Sequence, residues 1–157
     1  MSRGRSTCQN DVDDLIERYH LAQGEFLEGN PQPLQELFSH TEDVTLANPL
    51  GPVAQGVSVP WRVDGSRFPR PRKTPRSRFR DGEIAGFENV VKHVSAELAY
   101  IVEVERYRAK VGGGEDVVPV ALRVTSILRP EDGGWKVVHR HVDPITTAQP
   151  AQSVIKE

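Results

Sequence analysis

The chain has 157 residues, 37% hydrophobic and 27% charged, with a net charge of −2. That balance excludes a disordered polyelectrolyte, no stretch is apolar enough for a membrane-spanning helix, and the length suits one domain with a proper core. Cys8 is the only cysteine, which excludes an internal disulfide and a thiolate-rich zinc site, and MSRGRSTCQN lacks the hydrophobic run of a secretory signal, so a cytoplasmic protein with no membrane partner is expected.

In chain order, residues 1–9 read as a flexible N-terminus and 148–157 as a tail, leaving 10–147 as a single domain. The stretch NDVDDLIERYHLAQGEFLEGNP predicts a helix, because Val12, Leu15, Ile16, Tyr19, Ala22, Phe26 and Leu27 recur at three- and four-residue steps. Asn10 can cap it, and Gly29-Asn30-Pro31 ends it. PQPLQELFSH predicts a short second helix with Pro33 in its first turn. DVTLANPLG predicts a short strand closed by Asn48-Pro49, where proline removes a ladder donor. Four longer strands follow, at about 83–94, 97–110, 117–129 and 134–142. Their links are short: Ser95-Ala96, Gly112-Gly113-Gly114 and the run from Pro130 to Gly134. Such links join antiparallel neighbours. Helices first and a long antiparallel sheet after define an α+β domain.

The segment 57–80 breaks this pattern. Between residues 62 and 80, seven arginines and Lys73 against Asp64 give +7, so the remainder carries −9. Prolines at 60, 69, 71 and 75 prevent a helix, and an irregular basic loop that protease reaches first is expected. It reads either as a cationic arm for a polyanion or as a solvated insertion. No aromatic platform or reading helix accompanies it, so nucleic acid is not the expected partner.

The short strand ending in ANPLG and the closing RVTSILRPEDGGWKVVHRHVDP, with Arg123 and Thr125, resemble the nuclear transport factor 2-like superfamily over about residues 10 to 145. The nearest branches are the SnoaL-like and ketosteroid-isomerase-like proteins. The resemblance implies a cone-shaped, curved antiparallel sheet wrapped around the N-terminal helices (a cystatin-like fold), a pocket at the wide end, and a homodimer formed through the sheet. It implies a small, largely apolar oxygenated ligand and an isomerase, cyclase or hydrolase activity; a non-catalytic ligand-binding or dimerisation module is the alternative. Two departures stand out. Ketosteroid isomerases place an aspartate base where this chain has Asn48, and 121–128, ALRVTSIL, carries no acid. The family's third helix is replaced by the arginine- and proline-rich run. Such a run is what a GC-rich gene yields when read out of frame, and family character returns abruptly at FRDGEIAGFENV; an unbroken reading frame on resequencing would exclude a local frame disruption.

His139, His141 and Asp143 alternate, which places them on one face of a strand. As a metal site the triplet is incomplete, since Asp143 runs into Pro144 and no other histidine has partner spacing; neither metal nor cofactor is expected. As a pocket it gains partners. Arg123 and Thr125 alternate on the preceding strand, and Glu103 and Glu105 on the one before. His139 and His141 are the candidate acid–base residues, with Tyr19, Asn48, Glu103, Arg123 and Thr125 as ligand contacts. The competing reading is a satisfied polar network on the dimer side, with Leu98, Tyr100, Val102, Val104, Val120, Leu122 and Val124 on the more apolar face. Tyr19 also fits a core aromatic at helical spacing, and Trp135 fits strand packing.

Overall fold

The computed structural model describes residues 7–49, 52–56 and 79–156. The expectations placed on 57–78, the mobile basic loop above all, lie outside the described residues. Helix α1 spans Thr7–Leu27 and so begins before the Asn10 cap expected from the sequence. Val12, Leu15, Tyr19, Ala22, Gln23 and Leu27 form its buried stripe. It ends as expected: Gly29 takes φ +98°, a left-handed conformation that glycine adopts without steric cost. Helix α2, Gln32–Leu37, buries Leu34 and Leu37. Phe38 then forms a bridge to Val137, tying the helix end to the last strand.

The strands are β1 (Thr45–Ala47), β2 (Ala54–Gln55), β3 (Phe79–Val94), β4 (Ala99–Val111), β5 (Val117–Glu131) and β6 (Gly134–Asp143). They form one sheet in the order β2-β1-β6-β5-β4-β3. The four long strands and their links were legible in the sequence; β2 was not. All pairs are antiparallel except β1 with β6, which run parallel because the chain reaches β1 from α2 and returns to its side only at its last strand. Three register shifts in the β3–β4 pairing and one in β5–β6 bend the sheet around α1.

Two apolar clusters fill the space between helix and sheet. One gathers Val12, Leu15, Leu37, Phe38, Ala99, Leu128 and Val137; the other gathers Leu27, Tyr107, Ala109, Leu122, Val124 and Val142. The inward side of β4 shows why there are two. It reads Ala99, Ile101, then Glu103 and Glu105, then Tyr107 and Ala109, all buried. A band of polar side chains crosses the middle of the core.

Candidate functional site

Glu103 and Glu105 are each 1% exposed, so both carboxylates must find partners inside the fold. For Glu105 these are complete. Arg140 Nη2 donates to its Oε2 at 2.8 Å, the Tyr19 hydroxyl to its Oε1 at 3.2 Å, and Gln23 Nε2 lies 3.4 Å from both oxygens. Gln23 Nε2 also donates to the Tyr19 oxygen, at 2.8 Å. Arg140 Nε donates to the same oxygen. Burial drives the Tyr19 phenol well above its ordinary value, against the lowering pull of Arg140, so the hydroxyl keeps its proton and serves as donor. Burial also works against the charge of Arg140, yet Glu105 and Tyr19 hold its proton more tightly than usual. This is a closed, charge-paired network.

Glu103 differs. Among the described residues its one hydrogen bond is to His20 Nε2, at 2.9 Å. With the carboxylate ionised, Nε2 carries the proton and donates. The imidazole stacks on Phe87, ring centroids 3.7 Å apart and planes 10° from parallel, and its side chain is 25% exposed. Below Glu103 lies a void of about 10 Å³, lined by Leu15, Ile16, Tyr19, Ile101, Glu103, Ser126, Leu128 and Val137. That is room for about one water.

The residues predicted as one site fall on two faces. The pairings Glu103↔Val124 and Arg123↔Val104 place Glu103 and Glu105 inward and Arg123 and Thr125 outward. Val120, Leu122 and Val124, assigned from the sequence to the face opposite the glutamates, share their face. In β6 the regular alternation breaks between Val137 and His139, because Ile127 pairs with His139 and Leu128 with Val137. Val138 is the extra residue, and it sends Arg140 inward and His139 and His141 outward. The predicted grouping of Glu, Arg, Thr and His on one face is therefore wrong, corrected by strand register. On the outer face Thr125 pairs with His141 as expected, but Arg123 pairs with Asp143, holding its Oδ2 from Nη2 at 2.7 Å. His139 Nδ1 lies 2.7 Å from Thr45 Oγ1. Asn48 is exposed after β1. Of the predicted set, Tyr19 and Glu103 alone meet in the core. His20, Gln23, Ser126 and Arg140 were missed; the one available signal was Tyr19, His20 and Gln23 within a helical turn of each other. Among the described residues no three His, Cys, Asp or Glu side chains converge as for a metal.

No family model and no curated protein matches the chain. Solved structures do. A nuclear transport factor 2-like superfamily protein from Salmonella enterica aligns over 93% of this chain and 96% of its own at 14% identity, with a TM-score of 0.67. The fold is nuclear transport factor 2-like. A ketosteroid isomerase-like protein from Erwinia carotovora aligns over 91% of this chain and all of its own at 14% identity and a TM-score of 0.64. A CaMKII hub homology domain from Chlamydomonas reinhardtii aligns over 86% and 98% at 17% identity and a TM-score of 0.57. This nuclear transport factor 2-like domain thus shares its architecture with a ketosteroid isomerase-like protein and with a CaMKII hub homology domain, and the shared fold does not choose between them.

Proposed function

We propose that the protein handles protons on a small oxygenated molecule, with His20 as the acid–base residue and Glu103 as the carboxylate that positions it. The observation that carries this reading is the buried Glu103 carboxylate whose single partner is a part-exposed imidazole. Glu103 holds the proton on Nε2, which leaves the Nδ1 lone pair as a base, and it stabilises the imidazolium formed when Nδ1 takes a proton. Phe87 fixes the ring plane from one side. A purely structural role explains Glu105 better than Glu103, because Glu105 has a buried guanidinium and Glu103 does not. The role expected of His139 and His141 passes to His20, and Arg123 and Thr125 leave the ligand set. Tyr19 remains at the site as a wall of the void.

The test is exchange of the α-hydrogens of 1-tetralone for deuterium, followed by proton NMR in buffered D2O. The wild type should accelerate exchange, and His20→Gln should lose about 10²–10⁴-fold of that acceleration. Glu103→Gln should retain part of it. A folded wild type that exchanges the ketone no faster than buffer ends the reading.

A second reading, a homodimerisation module, is favoured by the outer sheet face. Tyr100, Val102, Val104 and Ile127 form an apolar stripe there, with Tyr100 37% exposed. The kinase hub domain among the structural neighbours is in keeping with it.

A further inference from the structure

After β6 the chain continues through 144–156 and buries nothing: every residue of this arm is exposed. Val154 and Ile155 near its end are 80% and 69% exposed, and no large apolar side chain among the described residues is more exposed than Val154. In a chain that is 27% charged, residues 144–155, PITTAQPAQSVI, carry no charge at all. A tail that merely stays in water has no reason to shed its charges. A segment that enters an interface does, because the buried centre of an interface is depleted of them. The arm is also shaped. Asp143 takes the Arg123 guanidinium on Oδ2 and the Ile145 N–H, at 2.8 Å, on Oδ1, which sets the direction in which the arm departs. The Thr146 N–H donates to Pro144 O, and a 3-10 turn at Ala151–Val154 follows Pro150. Among the described residues the arm's hydrogen bonds stay within 143–155. Its two prolines and the β-branched residues 145–147 restrict the backbone before any partner arrives, so less freedom is lost on docking.

A matching surface lies on the same chain. Val91, 40% exposed, pairs with Val102 and widens the outward stripe of Tyr100, Val102, Val104 and Ile127. The arm does not cover this stripe in its own copy: 145–149 only border the open groove beside Val104 and Arg123, and Val154 and Ile155 stay in solvent. Each copy thus has one uncharged arm without a seat and one uncharged stripe without a cover. Two copies related by a twofold axis satisfy both at once, and the assembly closes. We propose that 144–155 is a clasp that seats on the outer sheet face of a second copy, with Val154 and Ile155 against that copy's stripe. The proposal rests on the homodimerisation reading and names the segment that holds the two copies together.

Sedimentation equilibrium gives the dimer dissociation constant of the full-length wild type and of the double variant Val154→Ser, Ile155→Ser. The variant should dimerise at least about 100-fold more weakly, since each dimer loses four seated apolar side chains. Neither residue belongs to either core cluster, so the domain itself keeps its fold. A wild-type dimer whose constant the variant leaves unchanged overturns the clasp and leaves the dimerisation reading standing, whereas a wild-type monomer removes both. NMR in a Cys8→Ser background shows which copy the arm covers. Unlabelled copies with a nitroxide on Ser153→Cys are mixed with isotope-labelled copies that carry none. The nitroxide should broaden the methyl signals of Val102, Val104 and Ile127 in the labelled copies. Broadening confined to copies that carry both labels means that the arm folds back on its own sheet, and overturns the proposal.

Discussion

His139 shows how far one side chain's role departs from its sequence pattern. It faces outward and links β6 to β1 through Thr45, its partner in the parallel pairing. Burial lowers its pKa below the ordinary 6.5, and the charge of neighbouring His141 lowers it further. The folded protein therefore binds this proton less readily than the unfolded chain does. The resulting stability is complete above 6.5 and is lost as the pH falls below 6.5 through the folded value. Urea midpoints should drop between pH 7.5 and pH 5.5, and His139→Gln should make that drop smaller. An identical drop in the variant would assign the loss to other groups. Asp143 acts in a separate window. Burial raises its pKa, but the Arg123 hydrogen bond and charge outweigh this and hold it below 3.8, so its contribution disappears only in stronger acid.

At the scale of elements, two glycines of β3 carry opposite expectations for the same substitution. A Cβ at Gly82 would lie 3.0 Å from Leu27 Cβ and 3.3 Å from Ala109 Cβ. Both neighbours are fixed to backbone, one in the last turn of α1 and one in β4, and neither can rotate away. Gly82 is what allows the helix end to press against the sheet. A Cβ at Gly86 meets nothing within 4 Å, and its φ is not positive. Gly82→Ala should lower the denaturant midpoint by an amount equivalent to about 1–3 kcal/mol, while Gly86→Ala should raise it by about 0.4–1 kcal/mol. A stabilised Gly82→Ala would show that α1 can slide without cost. Element types were legible because periodicity reports them directly: the three- and four-residue steps of α1 and the turn residues between strands. Register was not legible. The pairing of β4 with β5 depends on where the Gly112–Gly114 turn closes, and the bulge at Val138 has no residue signature in a run of valines and histidines.

For the whole molecule, the question is what covers the outer face of the sheet. Beside the stripe of Tyr100, Val102, Val104 and Ile127, residues 145–149 border an open groove of about 410 Å³ together with Val104 and Arg123. A second copy seated on this face would bury both the stripe and this margin. Light scattering at micromolar concentration should give twice the 17.5 kDa of one chain. Val104→Glu should return it to a monomer by placing a charge at the centre of the interface. A wild-type monomer under these conditions removes the dimerisation reading. No helix among the described residues is long and apolar enough to cross a membrane.

The sequence by itself determined the α+β class, the order of helices and long strands, and the turns between them. These follow from side-chain periodicity and from glycine and proline chemistry, which act within a few residues. It also marked Tyr19 and Glu103 as residues of interest. Only the tertiary structure decided which polar groups meet. Tyr19, Gln23, Glu105 and Arg140 come from three elements up to 121 residues apart, and His20 reaches Glu103 across 83 residues. A one-residue bulge exchanged Arg140 for the two histidines on the inward face. Because successive strand residues point to opposite sides, a single inserted position reverses every assignment beyond it, and nothing local in the sequence announces that reversal.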